Sequence, residues 1–424
     1  MKLTGLLCLV LTVAVTLPLR GQEVSPVSSA GMTLEQLVAA ALHDNAQLRA
    51  MRTNWEAMRE MPVQERALPN PMFTFSGMDA ADNFPGLYEK RYSVEQSFPW
   101  PGKRGLRGRI AEKEAEGMRF DYEGMQREIV MMVKETYYEL CANRKSVAII
   151  RAEEDVLAQM TEIAETKYAV GEVSQQDVAK AQAEITMVRQ KLLETEAQEA
   201  SWSARLNTLL NRSTDAPLEL VFETPPQISD SRLEELQGTA ATNRPEVKAM
   251  RSQAESRELL KALMRKEYYP DITAGFEYRE SFDTGGMAMF MIGIELPIWF
   301  NKNAAGVREA EKRVASGRAA VEAAQRTVEF DVRDAWFRLR TAWQTLDLYR
   351  KDLLPQAQLR FSASEAGYRV SKVDFMDLLE SERFLLNARI MHVMAEADVG
   401  MQHARLERAI GAGVGDQTVD ERSK

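Results

Sequence analysis

The sequence predicts a mainly α-helical chain with a transmembrane β segment and an internal two-fold repeat. Three observations carry this. First, Tyr168-Ala169-Val170-Gly171-Glu172-Val173-Ser174-Gln175-Gln176-Asp177-Val178 returns two hundred residues later as Tyr368-Arg369-Val370-Ser371-Lys372-Val373-Asp374-Phe375-Met376-Asp377-Leu378. Tyr, Val, Val and Asp recur in register, a period far beyond the 20–50 residues of a solenoid. Second, four segments alternate apolar and polar residues, the period of a strand. Third, each half contains a helical pattern of extraordinary length; from Gly102 to Ala216 there is no proline at all.

In chain order, Lys2, an apolar run from Leu6 to Leu19 and a polar Gly21-Gln22 read as a secretory signal over residues 1–21. Cys8 lies too early in that run for a lipidation site, which leaves Cys141 and no intramolecular disulfide. The first repeat covers 22–211. Thr33 with Gln36 forms a capping box that starts a helix running to about residue 67. Pro69 and Pro71 end it. Phe73 and Phe75 then alternate with Thr74 and Ser76, and Tyr92, Val94 and Phe98 with Ser93, Glu95 and Ser97. The second repeat, 231–411, starts with Ser231 and Glu234 and stops its first helix before Pro270. Ile272, Ala274, Phe276 and Tyr278 alternate there with Thr273, Gly275, Glu277 and Arg279. Ala288, Phe290, Ile292 and Ile294 alternate with Met287, Met289, Met291, Gly293 and Glu295. Each strand is of roughly the 9–11 residues that a membrane-spanning strand needs.

A long helix follows each strand pair. Residues 104–167 would span roughly 96 Å at 1.5 Å per residue, and Met118, Tyr122, Met125, Ile129 and Met132 fall on a coiled-coil seam. The second long helix, about 304–367, contains Pro355, where a kink is expected. In each half the helices before the strands and after the turn together match the long helix, so they can run antiparallel beside it. Residues 212–230, with Pro217, Pro225 and Pro226, form a linker in which 218–222 suggest a short strand; 412–424 read as a disordered tail.

Composition removes several function classes. The net charge of −9, with charges interspersed, argues against a nucleic-acid partner. His43, His392 and His403 have no metal-ligand spacing. No Gly-rich phosphate loop, Gly-x-Ser-x-Gly or nucleophile–base pair stands out, so neither a cofactor nor an enzyme is expected. Four strands cannot close into a barrel, and open edges are not viable in hydrocarbon. The chain must therefore oligomerise, contributing four strands to a shared barrel that crosses the outer membrane and meets its lipid on the outside.

Across nearly the whole mature chain the sequence resembles the TolC-like outer membrane efflux proteins. The resemblance is carried by Leu34-Glu35-Gln36, Leu68-Pro69-Asn70-Pro71, Gln96-Ser97-Phe98-Pro99-Trp100-Pro101-Gly102-Lys103, the two turns and Leu354-Pro355-Gln356-Ala357. The Phe-Pro-Trp-Pro-Gly-Lys segment is most like the heavy-metal cation exporter (Cus/Czc-type) branch. The resemblance implies long antiparallel helical hairpins forming an α-barrel, and four strands per protomer in a 12-stranded trimeric β-barrel. It also implies a passive outer membrane channel of a tripartite efflux pump, docked to a periplasmic adaptor (membrane fusion protein) and an inner-membrane pump of the resistance-nodulation-division type. A conduit for type I protein secretion or drug efflux is the alternative within transport; a periplasmic coiled-coil scaffold is the alternative outside it.

Site residues follow from the turns and strands. Val170, Gly171, Val173, Val370 and Val373 expose small apolar groups at the tips and are the expected adaptor contacts. By resemblance, Asp377 and Glu380 form an acidic entrance ring, and Tyr368 donates to Asp177 as a latch within one protomer; Val373 stands where a basic gate residue can occur. Glu95, Glu277 and Glu295 are assigned to the lumen. Met287, Met289 and Met291 are a soft-metal path or, more simply, polarisable filler. Trp100, Trp299, Tyr268 and Tyr269 suit an aromatic girdle or corner packing.

Overall fold

The structure is a computed structural model that describes residues 31–79, 87–226, 232–281 and 285–412. The signal segment, Ser231, the end of the linker and nearly all of the tail lie outside the described residues. Each half repeats one order of elements. The first is α1 (Leu34–Asp44), α2 (Ala46–Arg66), β1 (Met72–Asp79), β2 (Leu87–Phe98), α3 (Lys103–Ala169) and α4 (Gln175–Leu209). The second is α5 (Leu233–Asn243), α6 (Pro245–Lys266), β3 (Asp271–Ser281), β4 (Gly285–Glu295), α7 (Phe300–Leu348), a π turn (Tyr349–Leu353), α8 (Leu354–Arg369) and α9 (Phe375–Ile410).

The single helix expected over 33–67 is two helices, and so is its repeat. Asn45 is extended, and its side-chain oxygen accepts from the Gln47 and Leu48 N–H groups, capping α2. In the second half Arg244 is extended because Pro245 follows it, and the proline opens α6 at a position where its missing N–H costs nothing. Thr33 and Gln36 do form the reciprocal capping box.

Helix α3 has 67 residues and is about 100 Å long. In the seam read from sequence only Ile129 is fully buried; Met118, Tyr122, Met125 and Met132 are half-buried. Helices α1, α2 and α4 of its own half and α6 and α9 of the other half all pack along α3, so its buried positions spread beyond a two-helix stripe. Pro355 is met by the π turn. The Leu354 N–H reaches back to the Tyr349 carbonyl, a π spacing, so the turn widens where the proline ring would strike the preceding turn.

The linker does not form the short strand expected over 218–222. It makes one parallel bridge, Met32 to Leu220. Tyr137, fully buried, ties the linker to α3: its hydroxyl donates to the Val221 carbonyl at 2.5 Å and accepts from the Glu223 N–H at 2.9 Å.

The strands form one antiparallel sheet in the order β1-β2-β3-β4. Register aligns Phe73, Val94, Phe276 and Phe290 in one row and Phe75, Tyr92, Tyr278 and Ala288 in the next. That face is apolar and exposed, Phe290 at 84% and Ile292 at 81%. The opposite face carries Thr74, Ser93, Glu277 and Met289 in one row and Ser76, Arg91, Arg279 and Met287 in another. No helix among the described residues is long and apolar enough to cross a membrane.

Candidate functional site: wall, collar and tip

The sheet wall puts Glu95, Glu277, Glu295 and the three methionines on the polar face, as alternation requires. Glu277 is not a free anion there. Arg91 approaches it at 3.3 Å and Arg279 at 3.4 Å, and Glu89 bridges the same two arginines at 3.1 Å each. Two arginines and two glutamates thus neutralise one another, which leaves Glu95 and Glu295 of the three expected acids.

Below the wall, residues 99–103 turn the chain from β2 into α3. Gly102 sits at φ +91, a left-handed conformation that glycine adopts freely. Lys103 is 2% exposed, and its Nζ reaches Asp271 at 2.9 Å, Glu267 at 3.3 Å and the Tyr269 carbonyl at 3.1 Å. Asp271 also accepts from the Trp100 N–H at 2.7 Å, and Trp100 stacks on Tyr269 with ring centroids 5.2 Å apart. Trp100 and Tyr269 are thus corner packing, whereas Trp299 is 71% exposed.

At the far end the two turns are built alike. Gly171 at φ +80 and Ser371 at φ +55 occupy the same left-handed position. The Glu172 N–H returns to the Lys167 carbonyl, and the Lys372 N–H to the Gly367 carbonyl, each at 2.9 Å. These are the closing bonds of a Schellman cap. Val170 and Val370 stand out at 69% and 62% exposure, Gly171 is exposed, and Val173 and Val373 are half-buried.

The latch expected between Tyr368 and Asp177 is not formed. The Asp177 carboxylate takes the Ser174 N–H and hydroxyl, completing the N-terminal cap of α4. Tyr368 is buried against Phe375, and its hydroxyl has no hydrogen-bond partner. Burial pushes its pKa up, with Asp177 and Glu172 adding to the effect. Lys167 supplies the tip's cation instead. Its Nζ meets Glu172 at 3.3 Å and the Ser371 hydroxyl at 3.1 Å, and lies 5.0 Å from the Tyr368 ring centroid. A partnerless buried hydroxyl contributes nothing, so Tyr368→Phe is expected to leave stability unchanged or raise it by up to about 1 kcal/mol. A thermal melt checks this; a clear loss of stability would point to a partner for the hydroxyl. Of the expected entrance acids, Asp377 is exposed, while Glu380 is engaged by Arg360 at 3.0 Å.

A second charged group escaped the sequence reading. Glu153 on α3 and Glu382 on α9 are 2% and 1% exposed. Both oxygens of Glu382 and one of Glu153 have no hydrogen-bond partner. Burial, followed by the facing Glu153 and then Glu184, pushes the Glu382 carboxyl up to about 10. Arg383 is held by Glu184 of α4 through both Nε and Nη2. The signal was present: Ile150, Glu153, Leu157, Met160 and Ala164 are spaced 3-4-3-4, which places Glu153 in a buried seam.

The family described as "Outer membrane efflux protein" matches residues 37–212 and 236–412. The chain is 23% identical over 399 residues to the cobalt-zinc-cadmium resistance protein CzcC of Cupriavidus metallidurans, covering 92% of each. It is 24% identical over 330 residues to outer membrane protein TolC of Vibrio cholerae, covering 71% of this chain and 72% of that one. Among solved structures, CusC superposes with a TM-score of 0.79 at 16% identity, over 90% of this chain and 92% of that one.

Proposed function

Because this chain belongs to the outer membrane efflux protein family, we propose that it is the passive exit duct of a tripartite pump and that it works as a homotrimer. The observation that carries this is the sheet. One face is apolar and exposed, the other polar, and β1 and β4 end it as edges. In hydrocarbon every backbone group must be paired, so such a sheet is viable only when closed by further copies. Three copies give twelve strands, an even number within the range of bacterial barrels. The long helices then continue the same tube below the membrane.

The exposed tips, Val170, Gly171 and Val370 with Val173 and Val373, are the surface for a periplasmic adaptor, which links the duct to an inner-membrane pump. Exposed apolar groups at the end of a rod about 100 Å long stabilise nothing in the chain itself. Asp377 projects at the entrance, where three copies would attract cations. The cargo we assign is heavy-metal cations. Support comes from the relative named for cobalt, zinc and cadmium resistance and from Glu95, Glu295 and the methionine row on the polar wall.

Native mass spectrometry in mild detergent is expected to give a trimer; a monomer would sink the closure argument. Deleting the gene should lower tolerance to zinc, cobalt or cadmium. Unchanged metal tolerance with lowered tolerance to organic toxicants would move the duct to drug efflux.

A further inference from the structure

We infer that Glu153 and Glu382 form a proton-binding latch that holds the second helical hairpin against the first just inside the tip. The inference rests on the duct reading for its consequence, but the site itself is built from the structure.

The two hairpins meet near the tip through a mixed core. Ile150, Leu157, Met160 and Ala164 of α3 pack with Leu378, Leu379 and Leu386 of α9. Inside this apolar contact the Glu153 and Glu382 carboxyls face each other, one from each hairpin. Neither meets a cation. Arg383, the neighbour of Glu382, is drawn away to Glu184 of α4. Glu154, the neighbour of Glu153, turns to Arg189 of α4 at 2.7 Å. On α8, Arg360 is directed to Glu380 at 3.0 Å. The charges facing Glu382 from α3, α4 and its own helix are thus Glu153, Glu184 and the already paired Arg383.

Two ionised carboxylates buried this deeply would repel one another, and among the described residues no unpaired cation offsets the cost. With a proton on Glu382, one O–H donates to the facing carboxyl, and an orphaned donor–acceptor set becomes a hydrogen bond between hairpins. The ligand the site requires is therefore a proton. Among the described residues no other group satisfies these oxygens.

The direction of the pH response follows. The packed form holds its proton to a higher pH than the separated or unfolded form, because burial raises the carboxyl above its ordinary value. The contact is fully supported below the ordinary carboxyl range. It weakens as pH rises above that range and is lost where the packed form itself ionises. One linked proton changes the ratio of separated to packed hairpins by up to about tenfold per pH unit. Alkaline conditions should therefore loosen the tip, and acid should tighten it.

The test uses the purified full-length assembly. Difference infrared spectra at neutral pH should show a protonated carboxylic acid band that disappears in Glu382→Gln. Single-channel recording between about pH 6 and pH 9 should show an open fraction that climbs with pH in the unmodified protein. Glutamine imitates the protonated acid in shape, so Glu382→Gln and Glu153→Gln/Glu382→Gln should stay closed and flat across that range. A missing acid band, or a double variant that keeps the original pH profile, overturns the latch. The infrared reading does not depend on conduction, so failure of the duct reading would show separately, as an assembly that carries the band but passes no ions.

Discussion

Lys103→Met is expected to abolish the outer membrane assembly while leaving the chain's helices formed. Lys103 is the fixed point at which a strand becomes a rod. Residues 99–101 supply two prolines without N–H groups, and Gly102 turns the backbone through a left-handed conformation. The Lys103 ammonium then joins Asp271 and Glu267 from the other half of the protein. Lys266 mirrors it by donating to the Pro101 carbonyl at 3.1 Å. Breaking a buried pair by removing one partner costs about 3–5 kcal/mol. Here Glu267 and Asp271 keep partial exposure, 34% and 22% of their side chains, so the lower end, about 3 kcal/mol, is the expected loss. The damage falls where both sheet and helices take their direction, and a tilted strand pair cannot meet its neighbours. The heat-modifiable oligomer band of outer membrane fractions should vanish in Lys103→Met. Adding Asp271→Asn should recover part of it, because the second change removes a stranded charge. An unchanged band in the single variant would show that the corner is held by packing of Trp100 on Tyr269 alone.

This lysine also shows which parts of the molecule were legible beforehand. The Phe-Pro-Trp-Pro-Gly-Lys segment was readable as a strand end and a resemblance, but the role of its last residue was not. Its partners lie more than 160 residues away, and no local pattern names them. The strands, the turns and the repeat were legible because each is a short-period signal: alternation, a turn residue, a register match. The breaks at Asn45 and Arg244 had local signals as well, an Asn capping residue and an Arg-Pro pair. They were overridden by the continuous apolar periodicity on either side. The π turn was half legible, since Pro355 announces a disturbance but not the widened turn that absorbs it. The tip misled for a different reason. Asp177 has two possible partners, the Ser174 cap three residues back and a tyrosine in the other half. The local cap closes a far shorter loop, and it is the one formed. Glu153 and Glu382 were missed because the net pattern of charges reads as a solvated face, although their seam positions mark them as interior.

Gly171→Trp is expected to remove efflux while the assembly in the outer membrane stays at its normal level. The backbone at Gly171 is left-handed, so any side chain there carries roughly 1 kcal/mol of strain. The second tip shows that the protein bears this cost, because Ser371 holds the equivalent position at φ +55. Space is not limiting either: a Cβ at residue 171 would meet nothing within 4 Å. An indole at this point therefore projects outward beside Val170 without disturbing the hairpin. What it disturbs is whatever must approach the tip closely. Blocking a close backbone contact at the centre of a docking surface costs about 2 kcal/mol or more, a weakening of about 30-fold in affinity. Gly171→Asn separates the two contributions, since asparagine accepts the left-handed conformation and adds little bulk. Cells carrying Gly171→Asn should keep most of their metal tolerance, and cells carrying Gly171→Trp should fall to the level of the deletion strain. Oligomer bands of equal strength in both would place the loss at docking. If Gly171→Trp cells export normally, the adaptor does not reach the duct through this tip, and the exposed valines need another explanation.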